Sequence, residues 1–199
     1  MIKIILYGDI NDKNLADLII DTLEGEYNIT YQTPTSISSY MIKNIDDPKN
    51  PPIEEILIIE TDIIKSIESS DTIVIFKNSI SNNIQLDIKN NIMFIVYSEN
   101  TYAIDFLSKT KVNNVITFGL HLTDTLTISS VNDQEKLGCL LRQVYSIHGD
   151  LIEPFEFVIK SSLSLSIVLP LCSILILLNK IDQMNPLLVD YPKKNPLHL

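Results

Sequence analysis

Glycine is scarce in this chain: there are five in 199 residues, and only Gly8 falls in the turn that leaves the first apolar run, "IKIILY". A glycine-rich loop able to wrap a phosphate is therefore not spelled out there. Cysteine is scarcer still, and Cys139 and Cys172 lack metal-ligand spacing. Two thiols without a signal-like N-terminus fit a reducing compartment, so a cytoplasmic location is expected. Clusters of Lys or Arg are missing too. With a net charge of -10 and a pI near 4.6, the surface repels nucleic-acid phosphates and anionic lipid heads, which disfavours nucleic-acid binding. His121, His148 and His198 are too scattered to form a ligand set, and no Ser-His-Asp or Cys-His arrangement can be picked out by spacing.

One uncharged run, "SSLSLSIVLPLCSILILL" at 161–178, raises the question of a membrane span. Four serines in its first six residues weaken it, and a helix of about 27 Å falls short of the roughly 30 Å hydrocarbon core. Pro170 would interrupt such a span near its middle. A buried core helix over 166–179, with Pro170 in or beside its first turn, is the better reading, and no transmembrane segment is expected.

What the chain does have is apolar residues in short, strand-like runs. At 45% hydrophobic it can build one well-buried domain, placed at 1–182, followed by a tail at 183–199. Strands are expected at 2–7, 27–31, 55–60, 72–76, 92–97 and 113–118, with helices near 13–24, 62–69 and 101–109. Unbroken runs such as "EILIIE", "TIVIF" and "IMFIVY" suit strands covered on both faces. Their alternation with helices predicts an α/β fold with a mostly parallel, Rossmann-like or P-loop-like sheet and flanking helices. The Pro-rich segment 32–54 reads as a long surface connection. Over 123–160 the runs "DTLTISSV", "GCLLRQVYSI" and "LIEPFEFVIK" predict a small antiparallel β extension, with "HGD" as a tight turn.

The turn "YGDINDKN" stands where a nucleotide-binding protein gathers backbone N–H groups and a lysine at a helix N-terminus. Lys13 is in place, yet Asp9 and Asp12 stand where glycines are wanted. As local chemistry these are ordinary turn and N-cap residues, and Lys13 a solvated first-turn lysine.

The order of these phrases resembles the central ATP-binding domain of the Mur ligase family, which adds amino acids to cell-wall precursors. In that resemblance "YGDINDKN" takes the place of the family's Gly-Thr-x-Gly-Lys-Thr/Ser loop, with Lys13 as its lysine and Asn14 where a hydroxyl is needed. "ILIIET" puts Glu60 at the magnesium-holding glutamate. "FKNSISNN" keeps Asn78 of the Thr-Asn pair but has Asn82 and Asn83 at the Asp-His positions. "VYSENTYAIDFL" resembles the Asn-Ala-Asp-Asp segment with its aspartates replaced, and the phrase around "ITFG" is the closest local match. "LLVDYPKKNP", with Asp190 and Tyr191, resembles the phrase that opens the family's C-terminal domain.

The resemblance implies a nucleotide site at Lys13, Asn14 and Asn78 and a metal site at Glu60, both vestigial. Carboxylates in the loop repel a triphosphate, so no cofactor is expected; MgATP is the one implied if the site still works. The expected function is a noncatalytic interaction or regulatory module, with a protein partner or self-association. Two alternatives remain: a nucleotide-binding ligase fragment completed by another chain, and a receiver-like phosphoacceptor domain with Asp9, Asp12 and Asp62 in an acidic pocket. The antiparallel addition argues against the last.

Overall fold

A computed structural model describes residues 1–42, 53–77, 80, 84, 86–88, 92–110, 112, 114–131 and 135–180. The first strand, β1 (Ile2–Tyr7), leads through the 8–13 turn into α1 (Asn14–Leu23), which presents Leu15, Leu18, Ile19 and Leu23 to the core at helical spacing. β2 (Asn28–Gln32) and β3 (Ile37–Tyr40) form a hairpin, and β4 (Glu55–Thr61) returns parallel to β2. The short β5 (Ser66–Ile67) precedes β6 (Thr72–Phe76), and β7 (Asp87–Ile88) pairs with β5. β8 (Met93–Tyr97), α2 (Thr101–Thr110) and β9 (Val115–Gly119) continue the parallel part. β10 (Leu126–Val131), β11 (Lys136–Leu140), the β12 (Val144–Tyr145) and β13 (Leu151–Ile152) ribbon, and β14 (Phe155–Ile159) follow, before α3 (Leu165–Leu177).

Ten strands form one sheet in the order β14-β11-β10-β9-β8-β6-β1-β4-β2-β3. This is the expected mixed α/β architecture. The antiparallel strands are not a separate sheet: β10 joins parallel to β9 at Leu126 and Thr127, then pairs antiparallel with β11. On one face α1 and α3 enclose the larger core with Ile4, Leu6, Ile56, Ile58, Ile73 and Ile75. On the other, α2 and the β5–β7 ribbon cover Val74, Phe76, Phe94 and Val96. There Phe76 stacks on Phe94 at 5.8 Å, with the Tyr7 ring edge-on to it.

Several expectations need correction. The helix expected at 62–69 does not form. Thr61 Oγ1 donates to Ile63 O and accepts from Ile63 N, the chain stays extended, and Ile67 is buried through the β5–β7 pairing. β-branched isoleucines among serines favour that outcome over a helical turn. Part of the 32–54 connection is ordered as β3, while 43–52 lie outside the described residues. "GCLLRQVYSI" and "LIEPFEFVIK" each divide: β11 pairs with β14, and β12 pairs with β13 around the expected turn. In that turn Ser146 N donates to Asp150 O, and Gly149 adopts φ 89°.

α3 is the buried helix that its sequence implied, wholly enclosed from Val168 to Leu177. Pro170 is its sixth residue, at the start of the second turn and so beside the first. At about 20 Å for 13 residues, α3 cannot cross a bilayer, and no helix among the described residues is long and apolar enough to do so. Asn179 ends it at φ 55°, and Lys180 then pairs with Glu26 while lying 5.4 Å over the Tyr27 ring.

Candidate functional site

In an open α/β sheet the natural ligand crevice opens at the carboxyl ends of neighbouring strands whose connections leave in opposite directions. Here those strands are β1 and β6. β1 feeds α1 on one face and leads toward β4, β2 and β3; β6 leads toward β8, α2 and β9 on the other side. The 8–13 turn, the end of β4 and Lys77 meet at this point. Backbone register places them: Leu6 lies opposite Glu60 on one side of β1, Tyr7 lies opposite Phe76 on the other, and Lys77 N donates to Tyr7 O.

The centre of the crevice is occupied by a side chain. Lys77 Nζ donates to Asp9 O at 2.7 Å, to Asp12 O at 2.6 Å, and to Glu60 Oε1 in an ion pair. Those three acceptors match the three protons of an ammonium group. The pair is almost completely enclosed, with 4% of the Lys77 side chain and none of the Glu60 side chain exposed. The other carboxylate oxygen of Glu60 accepts from Tyr31 OH. Burial and this hydrogen bond push the Tyr31 pKa above its ordinary value of 10.0. From the far side Asn100 Nδ2 donates to Lys77 O at 3.3 Å, while Asn100 Oδ1 caps α2 by accepting from Ala103 N.

The turn's own carboxylates take up its donors. Asp9 Oδ1 accepts from Asn11 N at 2.9 Å and from Asn11 Nδ2 at 3.0 Å. Asp12 Oδ1 does the same for Asn14 N at 3.2 Å and Asn14 Nδ2 at 2.8 Å. Gly8, at φ 146°, supplies the one backbone excursion that needs glycine, and its N–H pairs with Thr61 O. The turn thus aims two carbonyl oxygens inward at a lysine, while the N–H groups of Asn11 and Asn14 are held by aspartates.

Among the described residues that the sequence singled out, Glu60 enters this cluster through its side chain, and Asp9 and Asp12 enter it through their carbonyls. Lys13 stands exposed at the α1 N-cap, with its carbonyl accepting from Asp17 N, and Asn14 opens the helix at its rim. Asn78, Asn82, Asn83, Asp190 and Tyr191 lie outside the described residues. Asp9 and Asp12 are exposed, and no group of three metal-ligating side chains occurs among the described residues. Lys77 and Tyr31 are the members that sequence reasoning missed. The signal was present: lysine directly follows the wholly buried "TIVIF", as glutamate ends "ILIIE", and opposite charges ending two buried strands call for each other.

The fold is an α/β fold similar to that of Mur ligases. Its solved relatives in shape include a murein peptide ligase from Psychrobacter arcticus 273-4, with a TM-score of 0.60 at 12% identity over 94% of this chain and 46% of that one. A UDP-N-acetylmuramate:L-alanyl-gamma-D-glutamyl-meso-diaminopimelate ligase from Neisseria meningitides superposes with a TM-score of 0.58 at 10% identity, covering 98% of this chain and 66% of that one. A UDP-N-acetylmuramoyl-L-alanyl-D-glutamate–2,6-diaminopimelate ligase gives 0.54 at 12% identity, covering 96% and 47%. The chain therefore spans about half the length of two of these ligases and 66% of the third. At this identity the likeness is one of fold. No family profile and no curated protein sequence matches the chain.

Proposed function

We propose that this chain is a noncatalytic Mur-ligase-like module that acts through protein contacts in cell-wall precursor synthesis, and that its crevice does not take MgATP. One observation carries the reading: the crevice is neutralised from within on both signs. A triphosphate needs free N–H groups and a lysine, but Asp9 and Asp12 already hold the N–H groups of Asn11 and Asn14 and add negative charge. A magnesium ion needs free oxygens, but Glu60 and the carbonyls of Asp9 and Asp12 are bonded to the Lys77 ammonium. The residues present therefore do not fit the cofactor, and displacing Lys77 would strand a buried charge.

The module is taken as residues 1–182 with 183–199 as its tail, in a cytoplasmic setting. The cell-wall connection rests on the fold it shares with the three ligases. A thermal-shift and calorimetric screen with MgATP, MgADP and uridine nucleotides tests the reading. No stabilisation is expected at millimolar nucleotide, whereas a ligand at about 100 times its Kd adds about 2.7 kcal/mol. A shift with MgATP that disappears in Lys13→Ala would overturn it and favour a ligase fragment completed by another chain.

A further inference from the structure

β3 is the outermost strand on its side of the sheet, and among the described residues nothing pairs with its free edge. The hairpin fixes which backbone groups face outward. Thr33 N donates to Ser36 O, so hydrogen-bonded positions recur at 31/38 and 29/40, and the intervening Ile37 and Ser39 direct their N–H and C=O groups away from β2. Met41 continues the same parity. Sequences usually protect such an edge with charge, proline or a bulge. The opposite edge does so: β14 carries Glu156 and is flanked by Glu153 and Lys160. Residues 27–42, which include both strands of the hairpin, hold no charged side chain at all.

Apolar side chains stand beside this edge. Ile37 is 69% exposed and Met41 64%. Pairing register runs from Ile37 through Gln32 and Ile59 to Ile5, so Ile37 belongs to the sheet face opposite α1 and α3. Among the described residues no helix covers the outer half of that face, where the segment expected to supply one became β5. An open groove of about 670 Å³, lined in part by Ile5, Leu57, Ile59 and Ile63, lies over β1 and β4.

We propose that β3 is a self-association edge, and that its occupant is the β3 strand of a second copy, paired antiparallel about a two-fold axis at Ser39. The register is self-complementary: Ser39 meets Ser39, and Ile37 of each copy lies beside Met41 of the other. Charge selects this occupant. Two copies that each carry a net -10 repel over most of their surfaces, and they can approach most closely where both are uncharged. A short strand and two apolar residues per copy make a small interface, so association is weak and reversible. The proposal does not depend on the nucleotide crevice: MgATP binding would refute the preceding reading and leave this one standing.

Sedimentation velocity and light scattering on the full chain, from about 1 µM to about 1 mM, test it. A monomer–dimer equilibrium is expected that tightens with added salt, because screening removes the repulsion between the acidic surfaces. Ser39→Pro deletes only an outward N–H and should abolish the dimer, with an unchanged circular dichroism spectrum. Ser39→Glu, which keeps the backbone intact, should do the same by placing two carboxylates directly opposite each other on the axis. Amide exchange should show concentration-dependent protection at Ile37, Ser39 and Met41. A monomer across the whole range, or a dimer that survives Ser39→Glu, overturns the proposal.

Discussion

Replacing Lys77 by methionine removes the one cation that faces Glu60 in the described structure while keeping a similar chain length. The lysine has its three donors committed, and its side chain is 4% exposed, so the variant leaves a fully buried carboxylate with Tyr31 OH as its remaining partner there. Breaking one side of a buried ion pair costs about 3–5 kcal/mol, against a total stability of about 5–15 kcal/mol for a domain. Lys77→Met should therefore lower the urea midpoint sharply with little change in slope, as read by circular dichroism. Removing both charges is a different matter. In Lys77→Met/Glu60→Leu neither member of this ion pair is left buried without its partner, and Asp9 and Asp12 sit in an exposed turn where water can reach their carbonyls. The double variant should recover at least about 2 kcal/mol relative to Lys77→Met, and the coupling energy is larger than this recovery by the separate cost of Glu60→Leu. A loss below about 1 kcal/mol in Lys77→Met, or simple additivity in the double variant, would refute the premise that this pair closes the crevice.

Other outcomes follow from the same geometry. Tyr31→Phe should cost about 1.5–3 kcal/mol through its lost bond to a carboxylate. The raised pKa of Tyr31, caused first by burial and then by Glu60, means that its contribution is intact below pH 10.0 and is lost as pH rises through the folded value; the gap between wild type and Tyr31→Phe should shrink over that alkaline window in urea melts. Burial pushes the Cys172 thiol up to about 12 and also raises Cys139, so neither should react with a thiol reagent at pH 8 until denaturant is added; rapid native labelling of Cys172 would contradict the placement of α3. Gly138→Ala would bring a methyl group within 2.6 Å of the Phe157 ring on the paired strand, and an overpacking loss of about 1–3 kcal/mol should appear as a lower Tm; an unchanged Tm would argue against the β11–β14 register.

The parallel part of the fold was legible because its strands are apolar on both faces. "TIVIF" is buried at every position, and a run that short and rich in β-branched residues suits a doubly covered strand. α3 was legible from length, since a short uncharged run among serines suits a core helix better than a membrane span. The 62–69 segment was not. Ile63, Ile64 and Ile67 have helix-compatible spacing, but the decision lay with Ile88, whose pairing beside Ile67 is set by tertiary structure. β3 escaped notice for a similar reason: "ISSY" has little apolar pattern of its own and is held by the hairpin to β2.

The crevice was half legible, and the missing half changes its chemistry. Glu60 stood out as a carboxylate at a strand end, and the family resemblance implied a metal ligand there. Lys77 is 17 residues away on another strand, and only the placement of β4 and β6 on either side of β1 brings the two ends together. Once they meet, the carboxylate has a resident cation, and the turn's carbonyls complete the ammonium shell. The electrostatics of a strand-end site follow from which neighbours the sheet order assigns to it. A carboxylate facing an empty crevice would attract a metal; the same carboxylate facing Lys77 across β1 is paired with a resident cation, and the aspartates of the turn accept from the N–H groups of Asn11 and Asn14.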